Sequence, residues 1–130
     1  MTIVVGYIPT PQGEAALTAA IAEARAHDDS ILVINMSRDD KLVDAHRAPD
    51  DDLARLDKDL AESGVAHEVR RLEHGTDPAE QILATLESEN ARMLVIGIRN
   101  RTPVGKLLLG STAQRLLLDA TCPVLAVKAH

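Results

Sequence analysis

Five short apolar runs punctuate the chain: TIVVGYI (2–8), SILVINM (30–36), AHEVRRL (66–72), RMLVIGI (92–98) and CPVLAVK (122–128). Four are continuously apolar, as in strands covered on both faces of a parallel sheet, while the third alternates and suits an edge. Between the runs the apolar period changes to that of a helix. Ala16, Leu17, Ala20, Ile21 and Ala24 share one face, and Leu53, Leu56 and Leu60 form a second stripe. Ala79, Ile82, Leu83 and Leu86 form a third, and Ala113, Leu116, Leu117 and Ala120 a fourth. Helix starts carry capping chemistry. Thr10-Pro11 and Asp77-Pro78 set a capping oxygen before a proline, and Ser111-Thr112-Ala113-Gln114 reads as a capping box with Ser111 as the cap.

This βαβαβαβαβ alternation predicts an α/β fold, a doubly wound parallel sheet between two helical layers. Its ligand crevice should lie at the carboxyl ends of the strands, where the strand order reverses. The 130 residues amount to one domain, 1–130, without internal repeats or low-complexity segments. Residues 38–52, RDDKLVDAHRAPDDD, are the charge-rich exception, expected as a mobile loop running into the second helix.

Composition narrows the partners. Tyr7 is the sole aromatic residue, so the core must be built from Val, Ile, Leu and Ala. A net charge of −6 and the lack of stacking rings argue against nucleic acid as a ligand, and weaken any case for FMN. No basic segment followed by a long apolar one opens the chain, and no run approaches the roughly 18–20 residues of a membrane span. Cys122 stands alone, which excludes an internal disulfide. A soluble cytoplasmic protein without membrane contact is expected.

Candidate chemistry concentrates in VIGIRNRTPVGKLLLGSTAQRLL, residues 95–117. A helix starting at Gly110-Ser111 would offer unpaired N–H groups of Gly110, Ser111 and Thr112 and the positive end of its dipole to an anion. Glycines at 97 and 110 would let backbone approach a ligand closely. Arg99, Arg101, Lys106 and Arg115 lie here with no intervening acid, in an otherwise acidic chain. Gly105-Lys106 is no Walker motif, because Asn100 and Leu107 hold the positions where that motif needs glycine and Ser/Thr. On spacing alone, a phosphate cradle and a plain strand-to-helix connection are equally open.

Other constellations give little. Ser111 lacks a nucleophile-elbow context. His46, His67 and His74 fall on different elements without metal-ligand spacing, so each reads as a solvated or edge histidine. The acidic residues of a phosphoacceptor regulator are missing from YIPTP and RRLEHG. Asp39-Asp40 and Asp50-Asp51-Asp52 read as solvated or helix-start charges. Cys122 has no basic or histidine neighbour to activate it.

Gly97-Ile98-Arg99-Asn100, nine residues, then Gly110-Ser111 resembles the universal stress protein signature: glycine, two residues, glycine, nine residues, glycine, Ser/Thr. The flanks MLVIG, LLLGSTAQRLL and ATCPVLAVK agree, and the order of elements matches over essentially the whole chain. The resemblance implies a five-stranded parallel sheet of order 3-2-1-4-5, adenine nucleotide alpha-hydrolase-like, with helices on both faces and a nucleotide crevice between strands one and four. It places phosphates and ribose at Gly97, Gly110, Ser111 and Thr112, with Ile96 at the same strand end and Asn35 and Met36 near adenine. Arg99, Arg101 and Lys106 would supply charge, and Ile8 with Met36 an apolar wall for the base. Two positions depart from the ATP-binding branch. Asn100 replaces the second motif glycine, and Ile8 stands where that branch carries an aspartate.

In that strand order the last strand is an edge, and VLAV is an apolar one that needs covering. A homodimer through Val124, Leu125, Ala126 and Val127, the family's usual arrangement, would cover it symmetrically. The expected function is a stress-response or regulatory protein binding ATP or another adenine nucleotide, with or without magnesium. It is expected not to be an enzyme, although slow ATP hydrolysis or autophosphorylation stays open. The alternative is an interaction dimer with a degenerate pocket, acting on an unknown protein client.

Overall fold

The branched aliphatics of the apolar runs form strands, and the helical stripes close over them on both sides. The computed structural model describes residues 1–36, 49–73, 75–98 and 110–129. In chain order the elements are β1 (Thr2–Tyr7), α1 (Pro11–His27), β2 (Ser30–Asn35), α2 (Pro49–Ser63), β3 (His67–Arg71), α3 (Pro78–Ser88), β4 (Met93–Ile98), α4 (Ser111–Asp119) and β5 (Val124–Lys128). The five strands form one parallel sheet in the order β3-β2-β1-β4-β5. The order reverses between β1 and β4, where Gly6 lies opposite Ile96.

Alternate strand residues feed two cores. Ile3, Val5, Tyr7, Ile31, Val33 and Val95 point to the α1/α2 face and meet Ala16, Leu17, Ala20, Leu56 and Leu60. Val4, Leu32, Ile34, Leu94, Ile96 and Ile98 point to the other face and meet Ala79, Ile82, Leu86 and Leu116. Small alanines along α1 let that helix lie low across the middle of the sheet. Leu117 departs from the expected fourth stripe. It is 38% exposed, because α4 turns only Leu116 fully inward and adds Ala113 and Ala120 at the margin. The expected loop 38–52 is also shorter than its composition suggests, since α2 begins at Pro49. A proline followed by three aspartates suits a helix start, where the dipole favours negative charge; residues 37–48 lie outside the described residues.

The first turn of α1 is pressed against the strand ends. Thr10 caps it by accepting the Gly13 N–H at 3.1 Å, and Pro11 begins the helix. A Cβ on Gly13 would stand 1.8 Å from the Ile8 carbonyl oxygen, and one on Gly97 would stand 2.2 Å from the Gln12 carbonyl oxygen. Neither position has room for a side chain. At the opposite end of the sheet, Asp29 is buried and receives Arg92 Nε at 2.8 Å and Nη2 at 2.7 Å, with the N-terminal amine at 3.3 Å.

Two predictions come from this packing. Gly97→Ala should cost about 1–3 kcal/mol of unfolding free energy, the usual range for overpacking. Gly110→Ala, with open space around the position but a poorer helix cap, should cost less, about 0.5–1 kcal/mol in the same urea titration. The second concerns acid. Burial alone would raise the Asp29 carboxyl, but hydrogen bonds from Arg92 and the N-terminal amine outweigh it and hold the group below its usual value. A depressed folded-state value means stability that is fully present above the unfolded value, about 3.9, and lost as pH falls through the folded one. Urea unfolding between about pH 5 and 2 should therefore show an acid limb that Asp29→Asn flattens.

Candidate functional site

The starts of α1, α3 and α4 differ in their chemistry. α1 and α3 each begin with proline, which brings no N–H, and each is capped by a side chain: Thr10 to Gly13 N and Asp77 to Glu80 N, both at 3.1 Å. α4 has neither device. Its cap is Gly110, in extended backbone (φ −62°, ψ 157°), and among the described residues no side chain caps the turn. Ser111 is therefore the first helical residue and not the cap, which corrects the expected capping box by one position. The reason is geometric: the Gly110 carbonyl already accepts the Gln114 N–H at 2.9 Å, so the helix opens there. The amides without an intrahelical partner are therefore those of Gly110, Ser111, Thr112 and Ala113. The Ala113 amide is the donor that residue-type reasoning missed, since nothing in an alanine side chain advertises it. The frame of the capping glycine, with S-T-A after it, was the available signal.

Space and charge separate the other expected residues. A Cβ added at Gly110 would meet nothing within 4 Å, so the backbone there is open to a ligand. Gly97 is different: its open side is filled by the Gln12 and Gly13 backbone of α1, so the glycine accommodates a helix. Ile96 is buried on the α3/α4 face, where its side chain belongs to the core. Ile8 follows β1 at the rim, 43% exposed. Met36 extends the β2 end by donating its N–H to the Tyr7 carbonyl at 2.7 Å. Its side chain reaches over Gly6, with Cε 3.2 Å from where a Cβ would be, and packs with the same cluster as Ala113. Met36 and the α4 start therefore share a face. Asn35 is buried, in register with Tyr7, with its carbonyl accepting the Leu72 N–H.

Arg115 does not belong to a free basic patch. Its guanidinium lies 3.1 Å from Asp77, 3.6 Å from Glu80 and 3.7 Å from Asp119, so it ties α4 to the start of α3. Arg99, Asn100, Arg101 and Lys106 lie outside the described residues, as do His46 and His74. His67 on β3 bridges the Asp57 carboxylate and the Val65 carbonyl, each at 2.9 Å, and is an α2–β3 tie. No group of three His, Cys, Asp or Glu that could hold a metal occurs among the described residues. No helix among them is long and apolar enough to cross a membrane. Cys122 packs at the margin of the α3/α4 core, and burial pushes its thiol up, away from the reactive thiolate.

Chemically, the α4 start can hold an anionic group on the amides of its first turn, at the positive end of the helix dipole. Known proteins share this arrangement of elements. A universal stress protein of Mycolicibacterium smegmatis is 49% identical over 128 residues, covering 98% of each chain. The solved structure of a universal stress protein from Archaeoglobus fulgidus superposes with a TM-score of 0.81 at 29% identity, covering 98% of both chains. An Archaeoglobus fulgidus universal stress protein solved in complex with dAMP has a TM-score of 0.74 at 24% identity, again over 98% of both. The family model for the universal stress protein family matches residues 1–128. With the sheet order and these likenesses in agreement, the chain belongs to the universal stress protein family.

Proposed function

We propose that this protein binds an adenine nucleotide at the carboxyl ends of β1 and β4 and acts in regulation rather than catalysis, as a cytoplasmic stress-response protein. The observation that carries the reading is the start of α4, an uncapped helix N-terminus with a glycine open to solvent, at the switch point of the sheet. Phosphate would sit on the amides of Gly110, Ser111, Thr112 and Ala113. Arg99, Arg101 and Lys106 follow β4 in the sequence and would add positive charge. Met36 and the exposed Ile8 would flank the base. The dAMP-bound relative supports an adenine ring as the ligand's other half. Of the adenine nucleotides, ATP, with or without magnesium, matches a loop carrying three cations.

The reading includes a homodimer. Pro123 O accepts the Leu94 N–H, so the alternation of the parallel ladder turns Val124, Ala126 and Lys128 toward the free edge. Leu125 on the same strand is 36% exposed, and Leu117 and Leu118 on the preceding helix are 38% and 75% exposed. An antiparallel copy with its two-fold axis at Ala126 would pair all three outward-facing residues and give the exposed leucines a partner. A second reading, an interaction dimer serving a protein client with the crevice unused, draws on Ile8. An exposed apolar residue there supplies no polar contact to a nucleotide.

Calorimetric titration with AMP, dAMP, ADP and ATP, each with and without magnesium, should give saturable binding; silence at millimolar nucleotide would leave the client-binding dimer. Gly110→Val should abolish the signal by blocking the backbone. Ser111→Ala should leave the fold within about 0.5 kcal/mol, since that hydroxyl caps nothing. For the dimer, sedimentation velocity at roughly tens of micromolar should show two chains. Ala126→Pro, which removes an outward N–H and spares the bonds to β4, should give a folded monomer by circular dichroism and sedimentation.

A further inference from the structure

Tyr7 closes β1 on the α1/α2 face and is wholly buried. Its hydroxyl donates to Glu14 Oε1 at 2.5 Å, and Arg55 Nη2 donates both to the Tyr7 hydroxyl at 2.9 Å and to Glu14 Oε1 at 2.7 Å. Three elements meet at this point: the end of β1, the first turns of α1 and the middle of α2. Burial, then the neighbouring Glu14 carboxylate, push the tyrosine well above its ordinary range, so it remains a donor at every working pH. The exposed part of the ion pair is worth little by itself, because water screens it. The buried hydroxyl is another matter, since among the described residues Glu14 and Arg55 are the groups that satisfy it.

We propose that Tyr7, Glu14 and Arg55 are positioning residues through which α2 sets the first turn of α1 against the ends of β1 and β4. The transmission is direct because no side chain cushions it. Gly13 rests on the Ile8 carbonyl and Gly97 on the Gln12 carbonyl, each at a distance that excludes even a methyl group. A displacement of Glu14 by a fraction of an ångström must move Ile8 and Gly97, and both border the crevice. Close-packed contacts of this kind transmit strain and do not absorb it. Any ligand of α2 would then be coupled to the crevice, and by reciprocity an occupant of the crevice to the docking of α2. That last consequence rests on the nucleotide reading; the lock does not.

Amide exchange by NMR on the intact protein tests the two separately. Arg55→Met should speed exchange at Gly13 and Glu14, whose amides bond to Thr10, by about 10-fold, and Arg55→Lys should recover most of that protection. Tyr7→Phe should act in the same direction. Arg92→Met, which breaks the cluster at the other end of the sheet, controls for general destabilisation and should leave these two amides unchanged relative to global opening. Exchange in Arg55→Met matching the parent would overturn the proposal, as would an equal effect from Arg92→Met. AMP is the probe for the crevice. Its affinity should fall about 3- to 10-fold in Arg55→Met and not in Arg92→Met; unchanged affinity despite faster exchange would overturn the positioning role. If AMP fails to bind the parent, the nucleotide reading falls and the exchange data alone decide the lock.

Discussion

Two backbone-to-backbone contacts organise the crevice end of this molecule. Where Gly13 meets Ile8 and Gly97 meets Gln12, helix and strand approach more closely than any side chain allows. Such contacts gain dispersion energy from many atoms at once, but they tolerate only one geometry. They bring α1 down onto β4 as well as onto its own strand, which joins the two halves of the sheet across the switch point. The alanines at 16, 20 and 24 continue the same low seating toward the other end, where Arg92 and Asp29 close it. α1 is therefore the element against which the positions of both β1 and β4 are defined.

Much of this was legible from residue types alone. The strands, the helices and the caps at Thr10 and Asp77 follow from periodicity and from proline placement, because these depend on neighbours a few residues apart. The sheet order came with the family resemblance. What escaped depended on distance in sequence. Gly97 was legible as a close approach, but not that the approaching group is the backbone of Gln12, two strands and two helices before β4. Arg115 looked available because no acid lies near it upstream; Asp77 and Glu80 reach it from another helix. The one-residue shift at Ser111 has a local cause, since glycine and serine are both good caps and the first in the chain took the role.

The two sheet edges are guarded in different ways. β3 carries His67, Glu68, Arg70 and Arg71, and the Gln81 side chain of α3 accepts the Glu73 N–H just past the strand and donates to the carbonyl of Arg71 at its end. Charges and a side chain standing in for backbone both discourage a further strand. β5 has only Lys128 at its end, and its outward residues are otherwise valine and alanine. One edge is closed by its charges and by a glutamine from α3, while the other carries no such guard among the described residues.

Tyr7 has an optical consequence. As the sole aromatic residue, with no tryptophan to take up its excitation, it is the chain's entire near-ultraviolet chromophore. A generic protein coefficient applied at the usual near-ultraviolet wavelength will badly underestimate concentration, and peptide-bond absorbance is the sounder measure. The same poverty makes the signal clean. Every photon emitted by the folded protein comes from a ring whose hydroxyl is bonded to Glu14 and Arg55, so the molecule carries a built-in reporter at the junction of β1, α1 and α2.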